Sequence, residues 1–513
     1  VSKPEAAAEV DLTEAMRAFR AARFADASAI LDAGIERLSG AQFADAAMLR
    51  ARILLKRDAA AALAFLSRAA SRLRSERARA RADMLSGLAY GRLGDPRAAA
   101  AKFKSAKTLA GGDLAVTNEL AYFRAQVAWI SRKIDIADRE IASVYASLEG
   151  DLLVEATIGR SANAAARGNV REQGAILLEA LRVARDAAEP NVYLWAVAAT
   201  QVAYLARELP GTALRDAAYS EIARIPWTTD LAELHYTMAR AVAWRHALEG
   251  DYFNAFRRFK DAASLAPSPG WAVTASCDRA YFATVLGEHR WADQELSDAH
   301  ELVDRVDWRS LDGEERFALL VLAELHAPRD ASLALSYVAR YKDAGPRYAA
   351  TLASRDDRRV DAQEAYAFGI VQLALGDRQE ASRLLREAYA TYDAIGYDWR
   401  AGRAALALAS ATGEPSWNDR AREKVASYPR SWLAREGVSG RPAVAEPREL
   451  ARLTAAQRAV YELLLRGLST AQIATEQGRS EFTVRNHIKA IFKTFGVNSR
   501  PALLARASGN ARD

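Results

Sequence analysis

Again and again along this chain of 513 residues, an alanine is followed four positions later by Leu, Phe or Ile and three positions after that by a small residue or valine. Clear copies, set apart along the chain, are Ala27/Leu31/Gly34, Ala62/Leu66/Ala69, Ala99/Phe103/Ala106, Ala137/Ile141/Val144, Ala255/Phe259/Ala262, Ala292/Leu296/Ala299, Ala331/Leu335/Val338 and Ala381/Leu385/Ala388. Weaker copies sit near Leu177/Ala180 and Ala213/Ala217. Where neighbouring copies follow directly, the spacing is about 35–42 residues, and the last gap is about 50. Self-similarity on this scale limits the fold more than any single motif, because a unit this short cannot bury its apolar face alone and must stack on its neighbours.

Positions i, i+4 and i+7 share one face of an α-helix. Alanine at the first position lets an adjacent helix approach closely, and the Leu or Phe fills the groove. Most copies follow a turn-like Gly-Asp or Arg-Asp, so each is expected to be the second helix of a hairpin. The composition agrees: alanine dominates, Gly (28) and Pro (14) are sparse, and aromatics make up 8%, which favours helix over sheet. The segments GDYFNAFRRFKDAASLAP (250–267) and LAYGRLGDPRAAAAKFKSA (88–106) resemble tetratricopeptide repeats. That resemblance implies an all-α fold, with a tetratricopeptide-like α-solenoid over residues 1–433 built as a right-handed stack of antiparallel helix pairs. The ten tryptophans, Trp129, Trp195, Trp244, Trp271 and Trp291 among them, fit either inter-helix filling or a groove for a protein, peptide or small-molecule signal.

Several classes of function have no support. The single cysteine, Cys277, excludes an intrachain disulfide framework and a multi-cysteine zinc site, and suits a reducing cytoplasm. No apolar run approaches the ~18 residues of a membrane span. There is no Gly-Lys pair for a phosphate-binding loop, no HExxH among the six histidines, and no G-x-S-x-G. No catalytic residue, metal site or cofactor is therefore expected, and the protein reads as a soluble cytoplasmic non-enzyme.

The net charge of +6 is confined to one end. From Arg448 onward there are 11 basic and 5 acidic residues, which leaves 60 of each sign in the remainder. A basic module thus follows a neutral body. Between them, Gly437, Gly440, Pro442 and Pro447 break helical periodicity and mark a linker over 434–449. The module, 450–513, opens with a capping-box pair, Thr454 and Gln457, before a helix whose apolar face carries Val460, Leu463 and Leu464 and which ends at Gly467. Ser469 and Gln472 repeat the pair for a short helix closed by Gly478, and Ser480 caps a long third helix. Two helices joined by a tight Gly-containing turn form the helix-turn-helix pattern, whose second helix enters the major groove of DNA. On that helix Val484, Ile488, Ile491 and Phe495 fall in one sector, with Arg485, Asn486, Lys489 and Lys493 opposite. Arg bonds guanine bidentately and Asn adenine, while a lysine on phosphate sets register.

The pattern L-T-x-x-Q…G-L-S-x-x-x-I-A…S-x-x-T-V-R-N-H-I-x-x-I-x-x-x-F-G-V-x-S-R, from Leu453 to Arg500, resembles the LuxR-type DNA-binding domain of bacterial regulators. By that resemblance Arg485, Asn486 and Lys489 read bases, and Ser469, Thr483, Lys493, Ser499 and Arg500 lie near the DNA backbone. A last short helix with Leu503 and Leu504 corresponds to the family's dimerisation helix. The chain departs from the family in having Ala455, Ala456 and Gln457 where Arg-Glu usually follows the first Leu-Thr-Pro, and in Phe482 beside Arg485. Phe482 either packs over the helix start or touches a thymine methyl or sugar. The expected function is a sequence-specific bacterial transcription regulator, homodimeric on double-stranded DNA in the nucleoid, with the repeats sensing a partner. The competing expectation is a repeat-based adaptor with only non-specific DNA affinity.

Overall fold

The computed structural model describes residues 11–56, 58–131, 133–309, 311, 313–344, 358–434, 453–465, 468–500 and 503. Among them every regular element is helical, mostly α with a few single 3-10 turns. From Leu12 to Val425 the helices follow in hairpins. Glu76–Arg92 folds back on Pro96–Ala110, Pro269–Val285 on His289–Val303, and Arg358–Leu375 on Arg378–Ile395. None is long and apolar enough to cross a membrane.

The turns explain why the hairpins form where they do. A glycine in the left-handed region ends the first helix, and the aspartate after it caps the second. Gly94 (φ +79°) precedes Asp95, whose carboxylate accepts from the Ala98 N–H at 2.9 Å. Gly376 (φ +89°) likewise precedes Asp377, which accepts from the Glu380 N–H at 3.0 Å. Glycine supplies the backbone conformation at little cost, and the cap satisfies an N–H left over by the helix.

Most of the repeat positions are core. Ala99, Phe103 and Ala106, Ala255, Phe259 and Ala262, and Ala381, Leu385 and Ala388 are all buried. A small residue on the preceding helix receives the large one. A methyl group at Gly87 would lie 2.5 Å from the Phe103 ring, and one at Gly369 would lie 2.8 Å from Leu385. Two expectations need correcting. In the helix Ala331–Ala344 the inward residues are Ala334, Tyr337 and Val338, while Leu335 is exposed. In Thr212–Ile222 it is Ala218 that is buried, and Ala213 is exposed.

The contacts divide the chain into two compact units, one formed mainly from residues up to Leu205 with Ala213–His235, the other from Ala206–Thr212, Tyr236–Asp343 and residues from Ala362. Each returns upon itself. In the first, the Phe24 N–H donates to Asp230 at 2.6 Å, Thr228 donates to the Ala22 carbonyl at 3.1 Å, and Arg20 pairs with Glu189 at 3.0 Å. Tyr193 there meets Phe24 edge to face at 5.4 Å and carries the Lys56 ammonium 3.6 Å from its ring centre. Burial lowers the Lys56 pKa to about 8.

In the second unit, Trp244, Leu248, Tyr252 and Phe259 share a core with Trp399, Tyr428, Trp432 and Leu433. Trp244 lies 6.1 Å from Trp432 and 6.4 Å from Trp399. Tyr252 donates to the Arg430 carbonyl at 3.2 Å, and a methyl group at Gly250 would lie 2.6 Å from that oxygen. Glu208, fully buried, accepts from Arg400 at 2.7 and 2.8 Å, from Arg207 at 2.8 Å and from the Trp399 indole at 2.8 Å. Most tryptophans are structural: Trp244, Trp271, Trp308, Trp399, Trp417 and Trp432 are buried and Trp195 and Trp291 partly so, whereas Trp129 and Trp227 are exposed. Cys277 is buried as well, and burial pushes its thiol pKa up, away from reactivity.

Residues 435–449 of the expected linker lie outside the described residues.

Candidate nucleic-acid interface

The C-terminal module is assembled from its caps inward. Its first helix, Ala455–Leu465, opens on a reciprocal box: the Gln457 N–H donates to Thr454 at 3.2 Å, and the Thr454 N–H donates to the Gln457 side chain at 3.0 Å. Thr470–Glu476 starts the same way, with Ser469 and Gln472 exchanging bonds of 3.3 and 2.9 Å. Gly478 (φ +60°) turns the chain, and Ser480 caps the third helix, Glu481–Phe495, through the Thr483 N–H at 3.2 Å. The expected end of the first helix at Gly467 falls outside the described residues.

These three helices close over one core. Leu453, Val460, Tyr461, Leu463, Leu464, Ile473, Ala474, Val484, Ile491, Phe495 and Leu503 are buried together, with Ile488 partly buried at the edge. Tyr461 stacks on Phe495, centroids 5.0 Å apart and 9° from parallel; the periodicity of the first helix had pointed to its neighbours rather than to this ring. Such offset pairs contribute about 0.5–1.5 kcal/mol beyond their area.

With that side of the third helix inward, the other side is exposed. Arg485, Asn486, Lys489 and Lys493 are all solvent-facing, and Phe482 is 71% exposed. At about 100° per residue, Phe482 projects near the middle of the same arc as these polar residues, at the helix's leading end. Packing over the helix start would have hidden it.

Other expected backbone-contact residues have structural duties too. Ser469 is exposed and engaged as a cap, and the Thr483 hydroxyl lies 2.9 Å from that of Ser480. Ser499 is half-buried just ahead of Arg500. Arg500 is half-buried and donates to the Leu464 carbonyl at 2.8 Å, which ties the chain after the third helix to the C-terminal end of the first. Burial lowers its pKa. A cation at the C-terminal end of a helix complements its last carbonyls and the helix dipole.

Leu503, expected on the dimerisation helix, is fully buried within this core and completes the module. Leu504 lies outside the described residues.

Two polar residues not singled out from the sequence lie on the same exposed surface. Glu481 accepts from Arg485 at 2.8 Å across one helical turn. Arg479 lies 3.2 Å from the His487 ring, holding the turn against the third helix. The i,i+4 spacing of Glu481 and Arg485 was the legible signal for the first.

A short helix, a glycine turn and a longer helix with its polar side exposed make up a helix-turn-helix nucleic-acid-binding module. Residues 451–507 match the family model of bacterial regulatory proteins, luxR family. The module is thus of the LuxR type, a domain of DNA-binding transcription regulators. No curated protein matches the chain by sequence.

Among solved structures, the APC/C hetero-tetramer Cut9–Hcn1 is similar over 96% of this chain and 88% of its own, at 15% identity and TM-score 0.37. A Rap protein complexed with Competence and Sporulation Factor is similar over 66% of this chain and 99% of its own, at 13% identity and TM-score 0.37. Naa15/Naa10 bound to HypK-THB covers 97% of this chain and 78% of its own, at 15% identity and TM-score 0.22.

Proposed function

We propose that this protein is a sequence-specific, double-stranded-DNA-binding transcription regulator of the bacterial cytoplasm, whose helical repeats receive a protein, peptide or small-molecule signal. The observation that carries the reading is the third helix of the module. Its Val484, Ile491 and Phe495 are buried while Arg485, Asn486, Lys489 and Lys493 stand exposed along the other side. A helix about 10–12 Å across fits a groove about 12 Å wide whose walls are phosphates and whose floor is base edges.

In this reading Arg485 bonds guanine O6 and N7, Asn486 bonds adenine N6 and N7, and Lys489 reaches a further base acceptor. Phe482 meets a thymine methyl from the helix's leading end. Lys493, Thr483, Ser469 and Ser499 set register on phosphates, and Arg500 adds charge near the backbone while holding Leu464. The protein acts by binding rather than by catalysis. Two modules, as a homodimer, would read half-sites about one helical turn apart.

Selection from random duplexes by the full chain tests this. Recovery of one motif, lost in Arg485→Ala, is expected. Capture of DNA with no enriched motif would instead match the adaptor reading, in which affinity is purely electrostatic and salt-sensitive.

A further inference from the structure

The exposed side of the third helix carries the cations Arg485, Lys489 and Lys493 with the neutral Asn486 and Phe482, and the helix holds a single acid, at the edge of that arc and at its leading end. Glu481 is the first residue after the cap Ser480, and its side chain is 46% exposed. It holds Arg485 Nη2 at 2.8 Å. An acid in the first turn has an ordinary use, since it favours the positive end of the helix dipole. Here the Ser480 hydroxyl already satisfies a first-turn N–H. The exposed i,i+4 pair adds only about 0.3–0.5 kcal/mol. Against that small gain stands a clear cost: the leading end of a recognition helix points at base edges between two rows of phosphates, where a carboxylate is repelled unless it meets a donor.

A carboxylate has only acceptors. On the floor of the major groove the donors are cytosine N4 and adenine N6, whereas guanine O6 and N7 and thymine O4 are acceptors that would repel it. Arg485 has the opposite preference. The two side chains are separated by four residues, about 6 Å along the helix axis, which is one to two base-pair steps at 3.4 Å each. Because Glu481 also holds the Arg485 fork, it restricts an otherwise mobile side chain to fewer conformers before binding.

We infer that Glu481 is a specificity-determining residue that selects a cytosine, through N4, one or two base pairs from the guanine read by Arg485. This rests on the reading of the third helix as the base-reading element. Glu481 repels phosphate wherever that cytosine is missing. It therefore lowers affinity for non-cognate duplex more than for cognate duplex, and discrimination is sharpened from both sides.

The test is duplex selection, followed by titration of single-substitution duplexes, with the full-length wild type, Glu481→Gln, Glu481→Ala and Arg485→Ala. The wild type should enrich a guanine with a cytosine one or two steps away. Glu481→Ala should keep the guanine and lose about 5- to 30-fold of the discrimination at the cytosine, while binding unrelated duplex more tightly. Glu481→Gln should move the second position from cytosine towards adenine, because an amide matches adenine N6 and N7; a residue serving only the helix dipole would change no base identity. Arg485→Ala should lose the guanine. Wild-type preferences at both positions in Glu481→Ala and Glu481→Gln would overturn the inference and leave base reading by Arg485 intact. If the wild type enriches nothing, base reading itself fails, and the role of Glu481 fails with it.

Discussion

Removing the charge of Glu208 should loosen the second unit by about 3 kcal/mol, and two independent routes reach that figure. Glu208 is fully buried and meets Arg400, Arg207 and the Trp399 indole. Depriving buried guanidinium groups of their counter-charge costs about 3–5 kcal/mol when a partner is removed outright. Glu208→Gln keeps one acceptor oxygen for these donors and belongs at the lower end. The second route is titration. Burial drives the Glu208 carboxyl upward, but the charges of Arg207 and Arg400 prevail and hold it down at about 2. The ordinary glutamate value is about 4.3, and each unit of difference corresponds to about 1.4 kcal/mol, so the carboxylate form favours the fold by about 3 kcal/mol.

The sign follows from the depressed folded-state value. The contribution is complete above about pH 4.5 and disappears as pH falls towards 2. Hydrogen exchange of the backbone amides in residues 399–433, 206–212 and 236–252 reads the opening locally. At pH 7 the Glu208→Gln protein should exchange there about 100-fold faster than wild type, and the difference should close as both approach pH 2, after allowance for intrinsic exchange. Identical protection in the two proteins at pH 7, or a difference unchanged down to pH 2, would refute the reasoning.

Arg485→Ala should cost about 1–3 kcal/mol on the selected duplex, and Lys493→Ala should weaken all duplexes alike and lower the salt slope by about one, both measured by titration at several salt concentrations. Gly87→Ala should destabilise the repeats by about 1–3 kcal/mol in urea unfolding, because its methyl meets the Phe103 ring at 2.5 Å; Phe103→Leu in the same chain should recover part of that loss. Leu503→Ala should cost the DNA-binding module about 2–5 kcal/mol, seen as weakened exchange protection along Glu481–Phe495 without DNA or a second copy being required.

What could be read from the chain was whatever is local. The Gly-Asp turns, the capping boxes at Thr454 and Ser469, and the sides of the third helix depend on residues within a few positions of each other, and the structure keeps them. The slip at Leu335 has a local cause too. In ASLALSYVARYKDA two alanines three residues apart both begin an acceptable apolar series, and packing against neighbouring helices chose Ala334. The closures of the two units left no such trace. Glu208 meets Arg400, and Tyr252 meets the Arg430 carbonyl, across 192 and 178 positions, and no periodicity links residues so far apart. The burial of Leu503 was illegible for a related reason: an apolar residue on a short helix looks the same whether it covers its own core or another copy's. The pairing of Glu481 with Arg485 was in reach through its spacing, but the surrounding cations concealed it.

An open stack of repeats tolerates growth, since one more hairpin merely adds a layer at the end. The second unit has lost that liberty. With Gly250 pressed against Arg430 and Tyr428 donating to the Glu208 carbonyl at 3.4 Å, inserting or deleting a hairpin anywhere between them would misalign both seams at once. Evolution can therefore retune such a body by exchanging side chains, but its number of hairpins is locked.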